Sequence, residues 1–251
     1  MIALVDADSL IYKVGFAIED KVTWNEMEVS AGEEMEAQVD YYTNLVTCYK
    51  TLDSLINSIL LATGCDEYLL VFTGANNFRK TFPISYKANR KSSRKPSGFE
   101  EIFAYARKQY NTITVDGIEA DDYVVYLKTK EPEDYILCAI DKDVLNQTVG
   151  THYNYATGEE VTTRKHAAIW FAYFQTLTGD TTDGYKGCPQ IGKVKADAIL
   201  DDLKTEKEMW EAVVAAYESK GLDEEEAMWN MRLANMHQYN GKEVILWTPP
   251  T

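Results

Sequence analysis

Glu119, Asp121 and Asp122 crowd into four consecutive positions of GIEADDYVVYLK (117–128) and run straight into apolar residues. Acids favour the first turn of a helix, where free N–H groups and the helix dipole attract negative charge. That accounts for one or two of the three. Asp141 and Asp143 stand two apart and point the same way if the strand before them persists. Asp180 and Asp183, in LTGDTTDGYKG, are three apart and adjacent on any helical turn. Taken singly, each pair is more often a turn or a cap than a ligand set. With Asp6 they make eight carboxylates, and like charges brought close raise one another's pKa and oppose folding. Such a cluster is tolerable at neutral pH chiefly when cations neutralise it. Oxygen donors without His or Cys point to Mg2+ or Mn2+. This many point to two ions, which in phosphodiester chemistry stabilise both the attacking and the departing oxygen.

Whether the acids meet depends on the elements that carry them. IALVD (2–6) reads as a buried strand with Asp6 at its tip. Apolar residues at helical spacing run from about Glu33 to Ala62, and Gly64 ends that helix. YLLVF (68–72), residues 112–116 and YILCAI (135–140) read as further strands. Ser97-Gly-Phe-Glu100 has the spacing of a capping box that opens a helix reaching Tyr110, and Glu119 heads another. Strands alternating with helices imply an α/β fold with a parallel sheet, whose sites form outside the carboxyl ends of the strands. Asp6, Thr73, Asp141 and Asp143 belong at that edge, and so do the acids after residue 117. Residues 151–163 suggest a β-hairpin turning at Ala156–Gly158. From Arg164 the pattern is helical up to a last short strand, EVILW. The α/β part thus ends near residues 150–165, giving a core over 1–160 and a helical part over 161–251.

The chain has 251 residues, enough for one large domain or a domain with a small satellite. No apolar run approaches the roughly 18 residues a membrane span needs. Met1 leads directly into strand-like residues, so the expected location is the cytoplasm, the host's if the chain is viral. Cys48, Cys65, Cys138 and Cys188 lack paired spacing and read as reduced thiols, two or three of them buried. The three histidines lie near no nucleophile motif. The net charge of −15 argues against a polyanionic partner. Charge is segregated, however: Arg79, Lys80, Lys87, Arg90, Lys91, Arg94 and Lys95 lie between 79 and 95 with no acid among them. Phe82, Pro83, Ile84 and Tyr86 can anchor Lys87 and Arg90 near the acid edge to clamp a phosphate, with Tyr86 open to base stacking. GCPQIG (187–192), followed by Lys193 and Lys195, has the make-up of a turn between helices whose N–H groups suit a phosphate.

In order, LVDAD, NFRK…YKANRK, GIEADD, AIDKD and TGDTTDGYKGCPQIGKVKA resemble the flap endonuclease family of 5′-nucleases, most closely its small bacteriophage 5′–3′ exonucleases. The resemblance spans residues 2 to about 200. It implies a PIN-like α/β domain followed by a helix-hairpin-helix region that grips duplex DNA, often with bound K+. On that likeness Asp6, Glu119, Asp121, Asp122, Asp141, Asp143, Asp180 and Asp183 fall on metal-binding carboxylates. Lys87 and Arg90 fall on the catalytic cations facing the scissile phosphate. Arg79, Tyr86, Lys91, Arg94 and Lys95 join the DNA-binding strip; Gly187, Ile191, Gly192, Lys193 and Lys195 form the DNA-gripping hairpin. The implied activity is metal-dependent, structure-selective hydrolysis from 5′ ends of duplex, nicked or flapped DNA and of primer RNA–DNA hybrids. It would leave 5′-phosphate and 3′-hydroxyl products. The alternatives are a non-catalytic DNA-binding protein of the same fold and a PIN-type single-strand ribonuclease. Three features depart from the pattern: Thr73 stands where many relatives carry Asp, Gln190 where they usually carry Gly, and the arch near 88–97 is short. Asp8 is a candidate substitute for the acid missing at 73, or an N-cap for the helix that follows.

Overall fold

The computed structural model describes residues 1–24, 38–88 and 94–251. Its elements in chain order are β1 (Ile2–Asp6), α1 (Asp8–Ile18), β2 (Glu19–Trp24), β3 (Gln38–Thr43), α2 (Leu45–Thr63), β4 (Glu67–Asn77), α3 (Phe99–Gln109) and β5 (Thr112–Gly117). There follow α4 (Ala120–Lys130), β6 (Tyr135–Ala139), α5 (Lys142–Gln147), β7 (Gly150–Asn154), β8 (Glu159–Thr163), α6 (Lys165–Thr178), α7 (Lys193–Leu200), α8 (Glu206–Glu218) and α9 (Glu224–Ala234). A six-stranded sheet runs β5-β4-β1-β6-β7-β8, parallel except where β8 pairs antiparallel with β7. β1 lies inside it and is buried from Ala3 to Asp6, the pattern of a strand covered on both faces.

Helices α1, α2 and α3 cover one face of the sheet. In α2, Cys48, Leu52, Ile56 and Ile59 recur every three or four residues and supply its buried stripe. Asn44 caps its start, and Gly64 ends it at a φ of 66° that favours glycine. α4 and α5 pack on the other face with Leu4, Val71, Leu137 and Met236. Helices α6 to α9 close around a core of their own, built on Tyr173, Trp210, Val213, Tyr217 and Met231.

Several local expectations change. The long helix starts at Leu45, because Gln38–Thr43 pairs with β2 as a two-stranded ribbon; residues 33–37 lie outside the described residues. The box at Ser97 does not form: α3 starts after Gly98, which has φ 79° and no side chain to cap with. EVILW makes only the isolated bridge Tyr239–Val244. All four cysteines are buried, and all are free. Among the described residues no helix is long and apolar enough to cross a membrane.

Candidate active site

The carboxyl ends of the central strands open into a cavity of about 580 Å3 lined by Asp6, Asp8, Glu119, Asp121 and Asp141. Sheet order explains the convergence. Asp6 ends β1, Asp141 follows its neighbour β6, and Glu119 and Asp121 start the helix after β5. Lys80, Lys87, Lys95 and Glu100 also face the cavity. Lys95 Nζ donates to Glu100 at 2.8 Å and Lys87 Nζ to Glu119 at 2.5 Å. Among the described residues, that leaves Asp6, Asp8, Asp121 and Asp141 with no lysine or arginine in ion-pair contact.

Their electrostatics follow. Burial pushes the Asp6 carboxyl well up, and the charges of Asp8 and Asp141 push it further. Burial and then Asp6 do the same to Asp121. Glu119 goes the other way: burial opposes its charge, but Lys87 and Arg79 outweigh it and hold it at about 2. Burial likewise opposes the charge on Lys87, and Glu119, Asp183 and Asp121 keep it protonated. Lys87 is set by its backbone as well. It sits at φ 50°, uncommon for a residue with a side chain, and its N–H donates to Asp183 O at 2.6 Å. The Tyr86 hydroxyl donates to Glu119 at 2.6 Å and Asp183 at 3.1 Å, tying the basic segment to both acids.

The remaining acids form a second group beside the first. Lys142 Nζ bridges Asp143 and Asp180 at 2.8 Å each. Asp141 and Asp143 are not strand neighbours: β6 stops at Ala139, and Asp141 caps α5 by accepting the Asp143 N–H at 2.8 Å. Asp180 Oδ1 accepts the N–H groups of Thr182 and Asp183, folding the turn after α6 so that Asp183 reaches Tyr86.

The donor set fits a hard divalent cation. It is all oxygen, and among the described residues the raised carboxyls of Asp6 and Asp121 have no lysine or arginine in ion-pair contact. The side chains stand apart, however: among the described residues no three are drawn together as a formed metal cage.

Four sequence assignments are corrected, and one is narrowed. Arg79 is fully buried and cannot touch DNA; it grips Asp122 with Nη1 and Nη2 at 2.7 Å each and donates to Asn235 O at 3.0 Å. Asp122, 1% exposed, is committed to Arg79 and to the Glu119 N–H, so it braces the site and does not face the cavity. Tyr86 is buried and its hydroxyl is spent on Glu119 and Asp183, which removes it from base stacking. Gly187 is packed against the backbone at Gly179, out of reach of a ligand. Ile191 is narrowed to a support, its side chain lying in the α6–α9 core. Gly192, Lys193 and Lys195 are exposed at the start of α7, and Gln190 takes φ 62°, which is why glycine suits that position.

Arg94 pairs with Glu19 and lies over the Tyr41 ring at 3.6 Å. Arg90 and Lys91 lie outside the described residues. Asp8 is not a cap. Ala7 holds that position, and the Asp8 carboxylate turns to the cavity, each oxygen 3.2 Å from Thr73 N. Lys142 was missed, although its place between Asp141 and Asp143 was the available signal.

The model of the 5′–3′ exonuclease N-terminal resolvase-like domain matches residues 1–170. An exodeoxyribonuclease of Enterobacteria phage T3 is 28% identical over 222 residues, covering 72% of this chain and 73% of that protein. An exonuclease of Escherichia phage T7 is 24% identical over 288 aligned residues, covering 99% of this chain and 93% of that protein. The fold matches T5 5′-exonuclease with bound zinc at a TM-score of 0.67 and 17% identity, over 95% of this chain and 90% of that one. It matches the bacteriophage T5 flap endonuclease in complex with DNA and metal ions at 0.65 and 16%, over 97% and 94%.

Proposed function

Because the chain belongs to the family of 5′–3′ exonucleases with an N-terminal resolvase-like domain, we propose that it is a structure-selective 5′-nuclease acting on duplex, nicked or flapped DNA. Primer RNA–DNA hybrids are proposed as substrates too. The observation that carries this reading is the cavity in which Asp6, Asp8, Asp121 and Asp141 face one another with no paired cation among the described residues. Asp6, Glu119, Asp121 and Asp141 would hold one Mg2+ or Mn2+, and Asp143, Asp180 and Asp183 a second. Bound there, such ions supply Lewis acidity to the phosphate and lower the pKa of a water.

The chain's own groups do the rest. Hydrolysis adds water across the P–O3′ bond, leaving a 5′-phosphate and a 3′-hydroxyl. Lys87, held in line by Glu119 and by its bond to Asp183, presents an ammonium to a non-bridging oxygen, where negative charge grows in the transition state. Arg90 is assigned to the same phosphate. Tyr86 and the Arg79–Asp122 pair fix Glu119 from behind. Lys142 bridges Asp143 and Asp180 and offsets their mutual repulsion. Residues 1–160 would form the nuclease core. Residues 161–251 would grip duplex DNA through the Gly192 N–H, Lys193 and Lys195, with K+ at the hairpin.

A 5′-labelled nicked or flapped duplex, a blunt duplex and a single-stranded RNA, each with Mg2+ and with chelator, test the reading. Cleavage of the DNA ends in Mg2+ alone is expected. Asp141→Asn keeps the α5 cap, since Asn caps as well as Asp. It should lose metal uptake and cleavage while retaining duplex affinity. Full turnover by that variant would refute the assignment.

A further inference from the structure

Two buried amides lie behind the second group of acids. Gln147, fully buried, ends α5 one helical turn after Asp143, and Gln175, 2% exposed, lies in α6 ahead of Asp180. The Gln147 side chain is fully committed. Its Nε2 donates to Ala234 O at 2.8 Å and to Gln175 Oε1 at 3.0 Å, and its Oε1 accepts the Met236 N–H at 3.1 Å. Reversing that amide would set donor against donor and acceptor against acceptor, so its orientation is fixed. The orientation of Gln175 follows: with Oε1 taken by Gln147, its NH2 faces away. That Nε2 is buried and completes no hydrogen bond among the described residues. A buried amide donor left open is uncommon and costs stability.

The open donor lies toward Asp143. Burial pushes that carboxyl up and Asp141 pushes it further; Lys142 acts against the rise, and so does Gln175, as a donor. Lys142, whose side chain is exposed, holds Asp143 Oδ1 at 2.8 Å from the solvent side. Gln175 approaches from the core. It is neutral, so it orients the carboxylate without cancelling its charge, which stays available to a divalent cation. We infer that Gln175 is a positioning residue for Asp143, turning that carboxylate toward the second ion and tying it, through Gln147, to the Ala234–Met236 end of α9. The inference rests on the two-ion reading above and adds to it a support that is not itself an acid.

Mn2+ uptake by the full chain, followed by isothermal titration calorimetry and by electron paramagnetic resonance of the free ion, tests this without turnover. Wild type should take up two ions, and Asp143→Asn identifies the step that depends on Asp143. Gln175→Met has nearly the length and volume of glutamine but no donor. It should weaken that step about 10- to 100-fold, the usual loss when a metal ligand is deprived of its supporting hydrogen bond, and leave the other step unchanged. An unchanged melting temperature in chelator shows that the variant folds. Should it fail to fold, Gln175→Asn, which withdraws the amide by one methylene, should show the same selective loss. A folded variant that keeps the wild-type affinity at the Asp143-dependent step, or weakens both steps alike, overturns the inference. A chain in which Asp143→Asn alters neither step instead overturns the two-ion reading.

Discussion

Replacing Asp122 with alanine leaves the guanidinium of Arg79 inside the protein without its counter-ion. Arg79 is 0% exposed, and two of its three nitrogens bond Asp122 at 2.7 Å. What remains is the Asn235 carbonyl at 3.0 Å, Glu119 at 3.5 Å, the Met236 sulfur at 3.8 Å and the Phe78 ring, while Nε has no partner among the described residues. Breaking one side of a buried pair costs about 3–5 kcal/mol, because the other charge stays desolvated. Glu119 can recover part of that by turning toward Arg79, so the lower end, about 3 kcal/mol, is expected. In a chain of this size that corresponds to a fall in melting temperature of roughly 6–12 °C. Denaturant unfolding followed by tryptophan fluorescence and by circular dichroism measures it, with coincident transitions required before a free energy is extracted. The double variant Arg79→Met/Asp122→Leu removes both charges and should recover most of the loss. A loss below about 1 kcal/mol for Asp122→Ala, or a double variant no better than the single one, would refute the view that the pair is a desolvated, mutually dependent unit.

Other consequences are testable in parallel. Because burial and Asp6 raise the Asp121 carboxyl, its charge is a cost to the metal-free fold above the unfolded pKa. Asp121→Asn should therefore raise the melting temperature in chelator at neutral pH and abolish any rise on adding Mg2+; a destabilised variant there would contradict the charge argument. Glu119 is depressed to about 2, so its stabilising contribution is complete above the ordinary carboxylate range and is lost as the pH falls toward 2. Glu119→Gln should flatten the acid limb of stability between pH 5 and pH 2, measured by denaturant midpoints. At Gly187, with φ 63°, a Cβ would overlap Gly179 N and stand 2.6 Å from Leu177 O. Gly187→Ala should cost about 1–3 kcal/mol. Gly192→Ala meets open space and should cost no more than about 1 kcal/mol, the loss of a glycine N-cap, so a larger effect on duplex affinity reports contact with DNA.

Local pattern carried much of this molecule. The apolar runs at 2–6, 68–72 and 135–140 are strands because such runs have a stable home inside a parallel sheet, and each lies there, while the more mixed run at 112–116 forms the edge strand β5. Alternation of strand and helix then implied the shared edge on which Asp6, Glu119, Asp121 and Asp141 meet. Ordered motifs along the chain were enough to indicate the family.

Tertiary structure alone decided which charged residues face the cavity and which are consumed inside the protein. Arg79 and Arg94 look alike in a basic strip, yet one is sealed against Asp122 and the other, 15 residues further along the chain, lies on Tyr41. Asp121 and Asp122 are adjacent, and a helical turn sends one to the cavity and the other to Arg79. Asp8 was ambiguous between cap and cavity until Thr73, far off in sequence, offered its N–H. The physical reason is common to all of these. Burial and pairing of a charge depend on partners that the fold delivers from elsewhere in the chain, whereas the periodicity of a strand or helix is set by its immediate neighbours.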